Sequence, residues 1–113
     1  MGSFTEEGQD LSPEQVRELV EGGSIQLIDI REDYEHDAGR IDGDRHIVMD
    51  HLAAEAGSLA ADEPIVFYCR TGSRSAVATQ AFRGAGREAY NLDGGIVAWV
   101  DRGLPIEGEV APH

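Results

Sequence analysis

The sequence predicts an α/β fold in a single domain, a parallel sheet with helices on both faces. Three observations carry that prediction. Short runs rich in β-branched and aromatic residues alternate with stretches of helical periodicity. Glycines stand where those stretches end or begin, at 22–23, 84, 86 and 94–95. Pro64-Ile65-Val66-Phe67-Tyr68 reads as a buried strand that turns directly into a helix. At 113 residues the chain is long enough for one core and too short for two.

Residues 1–10 are polar and acidic without periodicity and read as a flexible tail. The domain is expected over 11–108, with a second tail at 109–113. Ser12-Pro13-Glu14-Gln15 carries a helix start, with Ser12 as N-cap, proline in the first turn and Gln15 closing a capping box. Val16, Leu19 and Val20 form that helix's apolar stripe, and Gly22-Gly23 ends it. Ile25 to Asp29 reads as a strand. Asp29 and Arg31 at its end are expected to hydrogen-bond each other and local backbone, steadying a neighbouring loop. Tyr34 to His46 is charged and turn-rich. His46-Ile47-Val48 reads as a short strand, and Asp50 to Ala56 as a short helix with Leu52 inward. His36, His46 and His51 lack a helical ligand pair, so they are expected to face solvent; no metal or cofactor is implied.

After the apolar strand come the only cysteine, Cys69, and then Arg70-Thr71-Gly72-Ser73-Arg74-Ser75. Val77, Ala78, Ala81, Phe82 and Ala85 follow as one apolar helical face. Cys69 therefore sits where a strand becomes a helix, the position at which open α/β sheets bind ligands. A helix start presents N–H groups without intrahelical partners and partial positive charge. Gly72 allows a tight inward turn, and Arg70 and Arg74 add full charges. Such surroundings favour a thiolate and an anion beside it. Cys69 is thus the candidate nucleophile, and Arg70 through Ser75 the candidate substrate cradle. That reading requires the loop amides to aim at the sulfur and the sulfur to be open to solvent. Glu88 to Leu92 reads as a further strand. Gly94-Gly95 then allows a turn to lie close to the Cys69 loop before a helix carrying Ile96, Val97 and Trp99; the tryptophan is assigned to the core.

Four segments in order resemble the rhodanese-like sulfurtransferases. They are Leu27-Ile28-Asp29-Ile30-Arg31-Glu32; Gly39, Ile41 and Gly43; Cys69 to Ser75; and Asn91 to Trp99 followed by Gly103-Leu104-Pro105. Arg40, Asp42 and Asp44 depart from the histidine, proline and alanine usual there. The resemblance implies that Cys69 takes a sulfane sulfur from a small anionic donor such as thiosulfate, holds it as a persulfide and passes it to a thiol or cyanide. It also implies that Asp29 and Arg31 are scaffold. Two alternatives remain open: a relay or interaction module for a partner protein, and a cysteine phosphatase. Phosphatases place the phosphate-gripping arginine six positions after the nucleophile, where this chain has Ser75.

The charge balance narrows partners. Twenty-two acids stand against nine bases, all arginine, for a net charge of −13. Such a chain repels nucleic acid and anionic membrane. Arginine-biased coding and adaptation to high intracellular salt both account for the missing lysine. No stretch is long and apolar enough to span a membrane. A lone cysteine excludes an intrachain disulfide and suits a reducing cytoplasm.

Overall fold

The computed structural model describes residues 8–110. Its centre is β5 (Ile65–Tyr68), whose four side chains are all buried. A strand buried on both faces needs a neighbour on each side. β5 pairs in parallel with β2 (Gln26–Asp29) and with β6 (Ala89–Leu92). The sheet runs β1 (Asp10–Leu11), β6, β5, β2, β4 (Arg45–His46), every pair parallel. Side-chain alternation then divides the core in two. Leu27, Val66, Tyr68, Tyr90 and Leu92 meet α1 (Pro13–Gly22) and α5 (Gly95–Asp101). Ile28, Ile65, Phe67, Cys69 and Ala89 meet α3 (Leu52–Glu55) and α4 (Ser73–Gly84). Helices thus cover both faces, as the alternation of elements predicts. Among the described residues no helix is long and apolar enough to cross a membrane.

The caps explain where α1 starts and stops. Ser12 Oγ accepts from the Gln15 N–H at 3.1 Å, Gln15 Oε1 accepts from the Ser12 N–H at 2.8 Å, and Gly23 closes the helix at φ 69°. Ser12→Ala should lower unfolding free energy by about 1 kcal/mol in urea titration. A loss near zero would mean that packing of Val16 alone holds α1.

Several expectations need correction. The tail expected over 1–10 is folded by Gly8: the Asn91 N–H donates to Gln9 O at 2.6 Å, and Arg83 Nη2 to Gly8 O at 3.0 Å. Residues 1–7 lie outside the described residues. The tail expected at 109–113 is anchored through 110. β7 (Glu107–Gly108) pairs antiparallel with β3 (Gly39–Arg40), the Glu109 N–H donates to Ala38 O at 2.8 Å, and Val110 packs on the core. Residues 111–113 again lie outside. The charged stretch after residue 32 contains α2 (Asp33–Ala38), which buries no residue. A Glu32–Glu35 capping box starts it instead of an apolar stripe. In α4 the inward residues are Ser75, Ala78 and Thr79, with Phe82 half-buried, whereas Val77, Ala81 and Ala85 face outward. That helix is rotated because Ser75 and Thr79 have polar work inside. Trp99 is core, as assigned, with its Nε1–H donating to Pro105 O at 2.8 Å.

Candidate active site

The carboxyl end of β5 delivers Cys69 to the point where α4 begins. Gly72 caps that helix at φ 100°, ψ −7°, a left-handed turn that folds the loop back over the sulfur. Two amides donate to Cys69 Sγ, the Gly72 N–H at 3.1 Å and the Ser75 N–H at 3.4 Å, and the Ser75 hydroxyl oxygen lies 3.3 Å from it. Charge building on that sulfur is met by donors already in place. Thr71 and Ser73 are exposed, Arg70 half-buried. The amides therefore aim where the sequence requires. The expected access to solvent is not found: Cys69 is 0% exposed, beneath Gly72 and Ser75, themselves buried. The sulfur therefore lies beneath the loop and not at the surface, contrary to the expectation.

The loop is held from below by α5. The Ile96 N–H donates to Cys69 O at 2.9 Å and the Val97 N–H to Arg70 O at 3.1 Å, so the first turn of α5 places its orphan amides on the carbonyls of the loop. This requires the close approach that Gly94-Gly95 suggested. A Cβ on Gly95 would stand 2.3 Å from Arg70 O.

Asp29 and Arg31 form the expected scaffold. Asp29 Oδ1 accepts from Arg31 N–H at 3.0 Å and from Nε at 2.9 Å, while Oδ2 accepts from Nη2 at 2.8 Å. Arg31 Nη2 also donates to Gly39 O at 2.6 Å, and its guanidinium lies 5.4 Å from the Tyr68 ring centroid. Burial pushes the Asp29 carboxyl up. Hydrogen bonds from Arg31 and His36 and the charge of Arg31 outweigh it, so the carboxyl lies below its ordinary value. Tyr68 donates to Asp44 Oδ2 at 2.6 Å, and burial raises both groups.

Arg74 has a partner that the sequence does not show. Its guanidinium, expected to face a donor, is engaged bidentately by Glu35 of α2 at 3.0 and 3.2 Å. His36 and His46 do not simply face solvent either; their rings stack 4.3 Å apart, and His36 Nδ1 lies 2.8 Å from Asp29 Oδ2. Ligand atoms of Asp29, His36 and His46 lie within 4.8 Å of one another. The Arg31 guanidinium already occupies both Asp29 oxygens and His46 Nε2 lies 2.7 Å from Arg31 O, so the trio is knitted into the Asp29–Arg31 scaffold.

Sequence reasoning missed Glu35 and also Asn91. Asn91 Nδ2 donates to Asp10 Oδ1 at 3.0 Å, which turns Oδ1 toward the Ser75 hydroxyl, and that hydroxyl donates to it. One hydroxyl proton cannot serve two acceptors. Toward a Cys69 thiol the Ser75 oxygen is an acceptor; toward an anionic sulfur it turns donor. An asparagine in an otherwise apolar core strand was the available signal.

The site is thus a lone cysteine in an amide cradle at the carboxyl end of the central strand of an α/β domain. The comparisons make the class specific. The family model described as Rhodanese-like domain matches residues 12–102. Thiosulfate sulfurtransferase GlpE of Pseudomonas aeruginosa is 38% identical over 92 residues, covering 80% of this chain and 83% of that protein. Probable adenylyltransferase/sulfurtransferase MoeZ of Mycobacterium tuberculosis is 37% identical over 102 residues, 87% of this chain but only 26% of its own length. A rhodanese-related protein from Thermoplasma volcanium superposes with TM-score 0.82 at 25% identity, covering 89% of this chain and 99% of that one. The chain belongs to the rhodanese-like family.

Proposed function

We propose that Cys69 accepts a sulfane sulfur, holds it as a persulfide and passes it to a thiol or cyanide. The carrying observation is the convergence of two amides and a hydroxyl on one sulfur atom. With thiosulfate as donor, the thiolate attacks the outer sulfur. The bond between the two donor sulfurs breaks, and its electron pair leaves with sulfite. The new Cys69–S–S⁻ carries one negative charge, and total charge is conserved. An acceptor thiolate then attacks the terminal sulfur and returns Cys69 as thiolate. The loop opens to admit each reactant, and closure gives the terminal sulfur its N–H donors. No metal or cofactor enters these steps. A reducing cytoplasm keeps the lone thiol ready.

A second reading is relay to a partner protein. It is favoured by MoeZ, in which the region matched by this chain is about a quarter of a protein named for both adenylyl and sulfur transfer, and by the closed loop over Cys69, which would hide a loaded sulfur until a partner opens it. For this chain, thiosulfate and the partner are equally proposals.

Intact-mass measurement after incubation with thiosulfate should show an adduct of about 32 Da on the wild type and none on Cys69→Ser. The adduct should disappear when cyanide or a thiol is added. Absence of any adduct from thiosulfate, a thiosulfonate and a thiol persulfide alike would overturn the sulfur-carrier reading.

A further inference from the structure

α2 packs no apolar residue into the core. Its contribution to the molecule is polar, made by Glu35 and His36. The Glu35 carboxylate grips Arg74 through both oxygens and also accepts from the Glu32 N–H at 3.0 Å. Its side chain is 12% exposed, against 37% for Arg74. Burial alone would raise the Glu35 carboxyl; the Arg74 hydrogen bond, the Glu32 amide and the charges of Arg74 and Arg31 outweigh it and hold it low. Glu35 is therefore anionic at neutral pH. The Glu35 hydrogen bond, with the Glu35 charge behind it, outweighs burial and raises the Arg74 guanidinium further above its ordinary value.

A guanidinium matched by a carboxylate offers a donor almost no net attraction. The loop next to Cys69 thus loses one of the two positive charges that its sequence advertises, in a chain of net charge −13. We propose that Glu35 is a specificity-determining residue for sulfur loading: by neutralising Arg74 beside Cys69 it disfavours dianionic donors and selects sulfane-sulfur compounds of lower charge, such as thiosulfonates and alkyl persulfides. The inference rests on the sulfur-carrier reading. The chemistry of loading is unchanged: thiolate attacks the outer sulfur of a thiosulfonate, the sulfur–sulfur bond breaks, and a sulfinate leaves with its electron pair.

A Coulombic effect scales with the charge of the donor, and this gives the test. Loading kinetics of the full chain are measured with thiosulfate, a dianion, and methanethiosulfonate, a monoanion. Glu35→Gln removes the charge while its amide oxygen still accepts from the Glu32 N–H. The KM for thiosulfate should fall about fivefold and that for methanethiosulfonate about twofold, the second factor being near the square root of the first. kcat should stay within about twofold, and the difference between donors should close in about 1 M KCl, where the Debye length is about 3 Å. Glu35→Asp keeps the charge but spoils the bidentate fit, so its KM values should stay within about twofold of wild type. Equal changes for both donors in Glu35→Gln, no change at all, or the same gain in Glu35→Asp would each overturn the proposal, since a loosened loop does not count charges. Wild type that loads from neither donor, nor from a thiol persulfide, would instead sink the sulfur-carrier reading beneath it.

Discussion

Gly95→Ala is expected to leave a folded but inactive protein. The residue sits at φ +67°, a left-handed conformation costing a side chain about 1–3 kcal/mol. The new Cβ would also stand 2.3 Å from Arg70 O, 2.5 Å from Arg70 C and 2.7 Å from Cys69 O, all main-chain atoms that cannot rotate away. Those two carbonyls accept the N–H groups of Ile96 and Val97. Either α5 retreats and both bonds break, or the loop shifts and Cys69 Sγ loses its donors from Gly72 and Ser75. A displacement of about 1 Å in such a cradle costs on the order of 100-fold in rate. We therefore expect sulfur loading to fall by about 100-fold or more, with unfolding free energy lower by about 3 kcal/mol. Gly103→Ala is the control. Its φ of +73° carries the same backbone strain, yet a Cβ there meets nothing within 4 Å. It should lose only about 1 kcal/mol and keep full loading. Similar loading in the two variants would show that backbone strain, not the contact with the loop, is what matters at Gly95.

Asp29→Asn should cost about 3–5 kcal/mol, because it leaves Arg31 charged and buried without a counterion. Asp29 is 0% and Arg31 2% exposed, so water does not replace the lost partner. Replacing both residues by apolar ones of similar size should recover most of that loss, and a double-mutant cycle measures the coupling. The pH dependence follows from the depressed carboxyl. A carboxyl that lies lower in the folded state than its ordinary value of about 3.9 adds stability that is complete above that value. The contribution fades as pH falls through the folded value. Wild type and Asp29→Asn should therefore differ most near neutrality and converge in acid. A gap that stays constant from pH 7 to pH 2 would mean that the carboxylate charge is not what Arg31 needs.

Where the chain is governed by local rules, its sequence is readable. The Ser12 cap, the Gly23 stop, the strand before Cys69 and the glycine turn at 94–95 each depend on residues a few positions apart. The Asp29–Arg31 pair is likewise a two-residue affair at a strand end. Legibility fails where a distant partner decides. β1 is two residues long and exists because β6 offers an edge, a fact that Asp10 and Leu11 do not advertise. α2 has no apolar stripe to announce it. Ser75 and Thr79 look like surface residues of α4, yet Ser75 is turned inward by Cys69 and Asn91, and Thr79 by its bond to Ser75 O at 2.7 Å. Arg74 read as a hand held out to substrate because Glu35 lies 39 residues away in sequence.

The pairing of β1 with β6 has a consequence for how the molecule breathes. Asp10 and Asn91 close a loop of 81 residues, an entropic cost of roughly 4 kcal/mol, for one short ladder at the sheet's margin. Such a margin zips last during folding and frays first at equilibrium, so hydrogen exchange there runs ahead of the interior. When it frays, Asn91 loses the carboxylate that fixes its amide, and the hydroxyl beside the sulfur loses its bearing. Order at a fully buried atom is thereby leased from a two-residue strand at the sheet's edge.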